Sequence, residues 1–287
     1  MSSTHGRTLH RLGAYREYAP PAALARYVEA LWTHRAPASA PAVMLRHRVL
    51  PNVGLSLCFR YRRAAPGHIE APSLLLIGPV HTPRLFHPEP GWILEAVQLR
   101  PEWGEAVLGV APQEYIDAFA QWPQAGAGAG HLLDQAIAAV QACGSALAPL
   151  LGWTETRWAE ASPTRSAFLA HAALGRLVDR PGRPARVDVV ARDLGVSVRH
   201  LRRAVCSTTS GRPKYLQRVR RLNRVLAEAD GHDAPNWASA APAHGYYDQA
   251  HLIRDCRALS GSTPATLHRE RRAEHVLFFQ SAAASSS

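Results

Sequence analysis

The sequence predicts two halves of different class, an α+β N-terminal half and an all-α C-terminal half. Three observations predict this. Short strand-like runs crowd residues 53–99 and helical segments follow them, the order expected of an α+β domain. From Ser166 onward every periodic segment reads as helix. The charge is lopsided as well: of a net +11, residues 164–287 carry 20 Lys+Arg against 10 Asp+Glu, whereas residues 1–163 carry 13 against 12. A chain of 287 residues favours two separate cores. The expected boundaries are an α+β domain at 1–153, a linker at 154–165 in "TETRWAEASPT", a helical domain at 166–273 and a flexible tail at 274–287.

In order along the chain, "PPAALARYVEALWTHR" (20–35) opens with prolines and spaces Leu24, Tyr27, Val28 and Leu31 as a helix would. "VGLSLCFRY" (53–61) alternates Leu55, Leu57, Phe59 and Tyr61 with smaller or polar residues, the period of a half-buried strand. "SLLLIGPV" (73–80) and "WILEAVQL" (92–99) are apolar runs bounded by Pro and Gly, which predicts buried strands. "PEWGEAVLG" (101–109) and "PQEYIDAFAQW" (112–122) each begin with proline, suited to a first helical turn. "QAGAGAG" (124–130) predicts a flexible connector, and 131–152 a helix ending near Pro149. Seven helices are then predicted, at 166–179, 187–194, 197–206, 213–229, 235–243, 247–259 and 264–273.

Composition excludes several classes. At 47% hydrophobic and 19% charged residues the chain reads as globular. No apolar run approaches the roughly 18 residues that span a bilayer. The polar start "MSSTHGRTLHRLGAYREY" lacks the apolar core of a secretory signal, so a cytoplasmic location without membrane attachment is expected. Cys58, Cys143, Cys206 and Cys256 are scattered and never form CxxC, which indicates neither a disulfide framework nor a zinc site.

The basic excess concentrates in "VARDLGVSVRHLRRAV" (190–205). Val198, Leu201 and Val205 share one helical face, while Arg199, Arg202 and Arg203 share another with no acid beside them. An isolated run of this kind is usually a solvated basic face. The surroundings change that reading. Ala191 and Leu194 face inward on a preceding short helix, Gly195 supplies a left-handed turn and Ser197 a cap, the layout of a helix-turn-helix. "WASAAPAHGYYDQAHLIRDCRALSG" (237–261) repeats the plan with Gly245, Asp248, Leu252 and Leu259, and turns Gln249, His251 and Arg254 outward. Two such units joined by the 213–229 helix rarely arise by chance.

Over residues 166–270 the sequence resembles the AraC family of bacterial transcriptional regulators. The resemblance rests on "ARDLGVSVRHLRR", Pro213 with "RRLNRV", "GYYDQAHLIR" and "GSTP". It implies a seven-helix domain whose two recognition helices enter successive major grooves of double-stranded DNA. Ser197, Arg199, His200, Arg202 and Arg203 are then the first DNA-contacting set, and Asp248, Gln249, His251 and Arg254 the second. Arg220 and Arg224 on the connecting helix are the phosphate contacts. The sequence departs from the family pattern at Val205 and Ser210, and in the second unit at Ala240, Pro242 and Cys256; these last three predict a looser second unit. The N-terminal half resembles the sensor-like domains found upstream in some members, through "RYVEALW", "VLPNVGLSLCF", "LIGPV" and "VQLRPEWGEAVLG". That resemblance implies a small barrel-like domain that binds an effector, forms a homodimer, or both.

Rival chemistry finds no residues. A cupin-type metal site needs His-x-His, which does not occur, and His81 and His87 stand six apart in a proline-bearing loop. A DNA-repair alkyltransferase needs a clustered cysteine site. No nucleophile elbow or phosphate-binding glycine loop is present. No catalytic residue, metal or cofactor is therefore expected. "VHTPRLFHPEPGW" (80–92) is the candidate effector rim, through His81, Arg84, His87 and Trp92, against the plainer reading of a strand connection. The reading is a regulator partnered by DNA and a small-molecule effector, and by RNA polymerase if it activates. The alternatives are a constitutive DNA binder whose N-terminal half only dimerises, and the repair enzyme.

Overall fold

The computed structural model of the chain describes residues 8–12, 14–38, 47–65, 68–122, 129–177, 185–272 and 276–277. Its strands are β1 (Thr8–Leu12), β2 (Tyr15–Tyr18), β3 (Val28–Arg35), β4 (His47–Val49), β5 (Ser56–Ala65), β6 (His68–Ile77), β7 (Arg84–Phe86), β8 (Trp92–Leu99), β9 (Phe119–Gln121) and β10 (Val276–Leu277). A seven-stranded antiparallel sheet runs β1-β2-β3-β8-β5-β6-β9, and a three-stranded sheet runs β10-β4-β7. Among the described residues neither sheet closes on itself. The expected barrel is thus two sheets face to face, with β1 and β9 as the edges of the larger.

Strand alternation sorts the core of this half into two layers. Leu31, Leu57, Phe59, Leu74, Leu76 and Val97 belong to a core shared with α1 (Gly104–Leu108), α2 (Ala129–Cys143) and α3 (Leu147–Glu160). Trp32, Cys58, Leu75, Ile77, Leu94 and Ala96 form the opposite layer with Val49 and Phe86 of the small sheet. The large sheet is therefore covered on both faces.

That double cover explains where the sequence misleads. In β3 seven of eight residues are buried, so the polar alternation of a strand is absent and the apolar spacing mimics a helix. Residues 22–27 are turns and the expected 20–35 helix is a turn and a strand. The expected helix at 112–122 is a single 3-10 turn, Pro112–Tyr115, followed by β9. Asp117, at φ +57, breaks it, and its carboxylate accepts the His81 and Thr82 amides at 2.8 and 3.1 Å. The 131–152 helix is two helices parted by Gly144 at φ +81, with Pro149 in the first turn of α3. The stretch expected as a linker is helical as far as Glu160. Most of the expected connector at 124–130, and most of the tail at 274–287, lies outside the described residues.

The helical half comprises α4 (Arg165–Leu177), α5 (Val187–Asp193), α6 (Val198–Thr208), α7 (Pro213–Ala229), α8 (Trp237–Ala243), α9 (Gln249–Ser260) and α10 (Pro264–Arg272). Its core is Leu174, Val190, Leu201, Val205, Leu222 and Leu252 with their neighbours, and Leu50 and Val53 from the N-terminal half are part of it. The halves are also joined by charge. Glu29, on β3, is buried against the Arg220 guanidinium of α7 and accepts from Gln98 Nε2 at 2.9 Å. Arg48 holds Glu270 with two bonds of 2.8 and 3.0 Å, and Glu102 holds His171 at 2.8 Å.

Glu29→Ala leaves the Arg220 charge buried without that carboxylate, a change that costs about 3–5 kcal/mol. Chemical denaturation should show the loss as a lower midpoint. An unchanged midpoint would mean that the pair does not hold the halves together.

Candidate nucleic-acid interface and cavity

The two helix-turn-helix units are built by the same backbone device. In the first, Gly195 at φ +66 turns the chain after α5, and the Val196 amide donates to the Ala191 carbonyl at 3.0 Å. In the second, Gly245 at φ +77 follows α8, and the Tyr246 amide donates to the Ala241 carbonyl at 3.0 Å. Those three positions recur after 50 residues (191, 195, 196 against 241, 245, 246). A side chain lacking conformational freedom at positive φ would strain either turn. Ser197 Oγ then caps α6 by accepting the His200 amide at 3.1 Å, and Asp248 caps α9 by accepting the His251 amide at 2.6 Å. The capping oxygens of Ser197 and Asp248 are thus committed to their own helices.

Burial splits α6 cleanly. Leu201, Ala204 and Val205 are in the core, while Arg199, His200, Arg202 and Arg203 are exposed. Among the described residues none of these arginines is ion-paired with an acid. The face therefore offers three free guanidinium groups in about one and a half turns. Arg192, Arg212 and Lys214, which the sequence reading did not single out, are exposed nearby.

On α9, Gln249 and Arg254 are exposed. His251 is half-buried: its ring packs edge-on against Tyr246 at 5.3 Å and its Nδ1 accepts the Tyr247 amide at 3.3 Å. Counted from the caps, Arg199 and Arg202 correspond to Ala250 and Ile253, and Arg203 to Arg254. The second helix thus presents fewer cations than the first. Tyr247, 89% exposed beside the start of α9, was also missed; its signal is the Tyr-Tyr doublet, of which one ring is buried and the other is not. Pro242 falls in the last turn of α8, where one ladder bond is at stake, and Cys256 is fully buried.

The connecting helix corrects the expectation for its arginines. Arg220 does not face outward: its side chain is 11% exposed and paired with Glu29. Burial and the neighbouring Arg224 push its guanidinium down to about 10, which leaves it charged at neutral pH. A phosphate contact from Arg220 is excluded in this arrangement. Arg224 is half-buried beside it. Arg218 and Arg221 hold the buried Asp255 of α9 at 2.6 and 3.2 Å, locking α9 to α7.

The four residues of the expected effector rim separate. Arg84 and His87 line a cavity of about 380 Å³ between the two sheets, with Trp32, His34, Val49, Ile77, Leu85, Phe86, Leu94 and Phe119. His81 instead faces the helical half, 3.1 Å from Ser210 Oγ and with its ring 4.8 Å from that of Tyr215. Trp92 lies under the guanidinium groups of Arg60 and Arg62, at 4.5 and 5.2 Å. At the back of the cavity His34 Nε2 lies 3.4 Å from His47 Nε2, a pairing that sequence reasoning missed because 13 residues separate them. Burial, and then the His47 neighbour, lower the His34 imidazole to about 3, so it is neutral at ordinary pH.

Against known proteins, a family described as a domain of unknown function (DUF6597) matches residues 16–121, from β2 to the end of β9. No curated protein matches the chain. Solved structures of ToxT from Vibrio cholerae are similar at low identity. ToxT from strain O395 aligns over 83% of this chain and 95% of its own, at 8% identity and a TM-score of 0.41. An apo single-residue variant of ToxT from strain SCE256 aligns over 92% and 99%, at 8% identity and a TM-score of 0.43. Wild-type ToxT with an unsaturated fatty acid bound aligns over 77% and 88%, at 8% identity and a TM-score of 0.39.

His34 makes stability depend on pH in one direction. Its folded value of about 3 lies below the ordinary 6.5, so the unfolded chain takes up the proton first as pH falls. Stability present above about pH 6.5 is lost progressively toward pH 3. His34→Leu should flatten the fall in unfolding free energy on acidification by up to about 1.4 kcal/mol per pH unit, read by chemical denaturation at each pH. A variant that tracks the wild type at every pH would place the acid sensitivity elsewhere.

Proposed function

We propose that this protein is a sequence-specific, DNA-binding transcriptional regulator of the AraC type, in which an N-terminal cavity-bearing domain governs a double helix-turn-helix. The observation that carries the reading is α6: four exposed polar side chains, three of them guanidinium groups without an acid partner, on a helix whose opposite face is core. A bidentate guanidinium on guanine is the commonest specific contact in the major groove. A repeated turn 50 residues on supplies a second helix in the same role, with Gln249 and Arg254 as its readers and Tyr247 beside them. Arg192, Arg212 and Lys214 flank the first helix where phosphates would lie. This assignment replaces Arg220 as a backbone contact. The fused halves favour a regulator that responds to an effector over a constitutive binder. A ligand in the N-terminal half acts on a body that already shares a core with the helices.

The full chain should bind duplex DNA with an affinity that falls steeply with salt. About six to eight phosphate contacts give a log–log slope of about −5 to −7. Arg202→Ala and Arg203→Ala should each cost about 1–3 kcal/mol on the selected site and relax preference at one base pair. Fluorescence anisotropy on a genome-selected fragment and on random duplex checks both. A slope near zero would remove DNA as the partner. An equal loss on both duplexes would make these arginines phosphate contacts.

A further inference from the structure

The cavity between the sheets has two walls with different attachments. Trp32, His34, Ile77 and Leu94 belong to the large sheet, whose far face is held by α1, α2 and α3. Val49, Arg84, Leu85 and Phe86 belong to the small sheet, whose middle strand is β4. Strand β4 has three residues, and adjacent side chains of a strand point to opposite sides. His47 reaches His34 and Val49 lines the cavity. Arg48, between them, points the other way, onto Glu270 of α10 and the carbonyl of Ser260 at the end of α9, 3.3 Å from its Nη1. Strand β10, which follows α10 in the chain, pairs with β4 along its other edge. One short strand is therefore both a wall of the cavity and the mount of the second helix-turn-helix unit.

The lining selects a chemistry. Trp32, Phe86, Phe119, Ile77 and Leu94 make the walls apolar and largely aromatic. Leu85 and Phe119 line the space yet are 40% and 37% exposed, which marks the mouth. At the closed end His34 is 1% exposed and its Nδ1 has no hydrogen-bond partner. A buried nitrogen in that condition has lost its hydration without replacement; it is closed off from the cavity as well, so the imidazole must turn toward the space for a ligand atom to bond to it and restore the loss. The ring is held neutral by burial, so it suits an uncharged group rather than an anion. Arg84 does not supply the missing charge: its Nη1 donates to the Asp117 carbonyl at 2.6 Å, and the Asp117 carboxylate lies close by. The volume, about 380 Å³, fits a molecule at the small end of the usual range for ligand sites.

We propose that this cavity binds a small, flat, mostly apolar molecule carrying one uncharged hydrogen-bonding group, of the phenol or indole class, and that β4 passes its occupancy through Arg48 to the second helix-turn-helix unit. The binding step is independent of the DNA-binding reading; the regulatory meaning of the coupling rests on it. A ligand can shift the helical half only by binding its two arrangements unequally. Val49 and His47 supply that difference, because any outward movement of them moves Arg48 against Glu270.

The test is a titration of the full chain with naphthol, with naphthoate and naphthylmethylamine as the anionic and cationic versions of the same ring, and with naphthalene. Naphthol should bind one-to-one and at least about tenfold tighter than either charged probe, the penalty for a charge without a partner. His34→Leu should remove its advantage over naphthalene. Leu85→Trp, at the exposed mouth, should weaken all binding without depending on a core replacement. Amide exchange on the naphthol complex should change in β4, at the end of α9 and in α10. In Arg48→Ala the affinity for naphthol should hold within about twofold while the response in α9 and α10 disappears. Tighter binding of naphthoate, or no saturable binding, overturns the site and its class. A response in α9 and α10 that survives Arg48→Ala overturns the coupling. Failure of the full chain to bind DNA would remove the regulator reading and leave these readouts to decide the cavity.

Discussion

The arrangement of this protein depends on the buried contact between Glu29 and Arg220. A guanidinium leaves water at a cost of several kcal/mol, which its attraction to a carboxylate repays only with good geometry. Such a pair adds little net stability. It does favour this docking of the halves, because another would part the buried Arg220 charge from the Glu29 carboxylate. Glu29 is fixed by Gln98 on β8 and by its own strand, and Arg220 sits midway along the longest helix of the C-terminal half. The sheet thereby sets the position of α7.

From α7 the constraint spreads to α6 and α9. Arg218 and Arg221, on either side of Arg220, hold Asp255 and so place α9. Val219, Leu222 and Leu226 pack in the core that also buries Leu201 and Val205 of α6. Gln113 of the N-terminal half donates to the Cys206 and Ser207 carbonyls near the end of α6, at 2.7 and 2.9 Å. Leu50 and Val53 complete the shared core. Neither helix-turn-helix unit can change its angle to α7 without disturbing contacts to the sheet.

The helical half was legible because its signals are local. Ser197, Asp248, Gly195, Gly245 and Pro213 each mark a helix end by their own backbone chemistry, and the seven helices fall close to their expected positions. The sheet was legible where one side of a strand alternates, as in 53–61, and illegible in β3, where burial on both faces erases the period. The exposed arginines of α6 could be read from helical spacing alone. Arg220 could not, since what buries it is Glu29, 191 residues away. The cavity lining was half legible for the same reason: Arg84 and His87 reach it, but the pairing of His34 with His47 and the docking of His81 on Ser210 depend on how distant strands and helices meet.

Helices α6 and α9 differ in a way that fits their mountings. The first carries Arg199, Arg202 and Arg203 free of acids, and its unit is braced by Gln113 and by Glu102, which holds His171 of α4. The second has Ala250 and Ile253 where the first has Arg199 and Arg202, and the acid partners of its neighbouring cations lie inside the domain. Its free end, at Ser260, rests on Arg48 of the cavity wall. In the proposed DNA-binding function, a unit rich in free guanidinium groups would keep most of its affinity however its partner is placed, because phosphate and guanine contacts act locally. A unit poor in them contributes chiefly when its helix is correctly aimed. In the function proposed above, control of DNA binding is then most effective at the second unit, where a small change of position would decide whether Gln249 and Arg254 reach the groove.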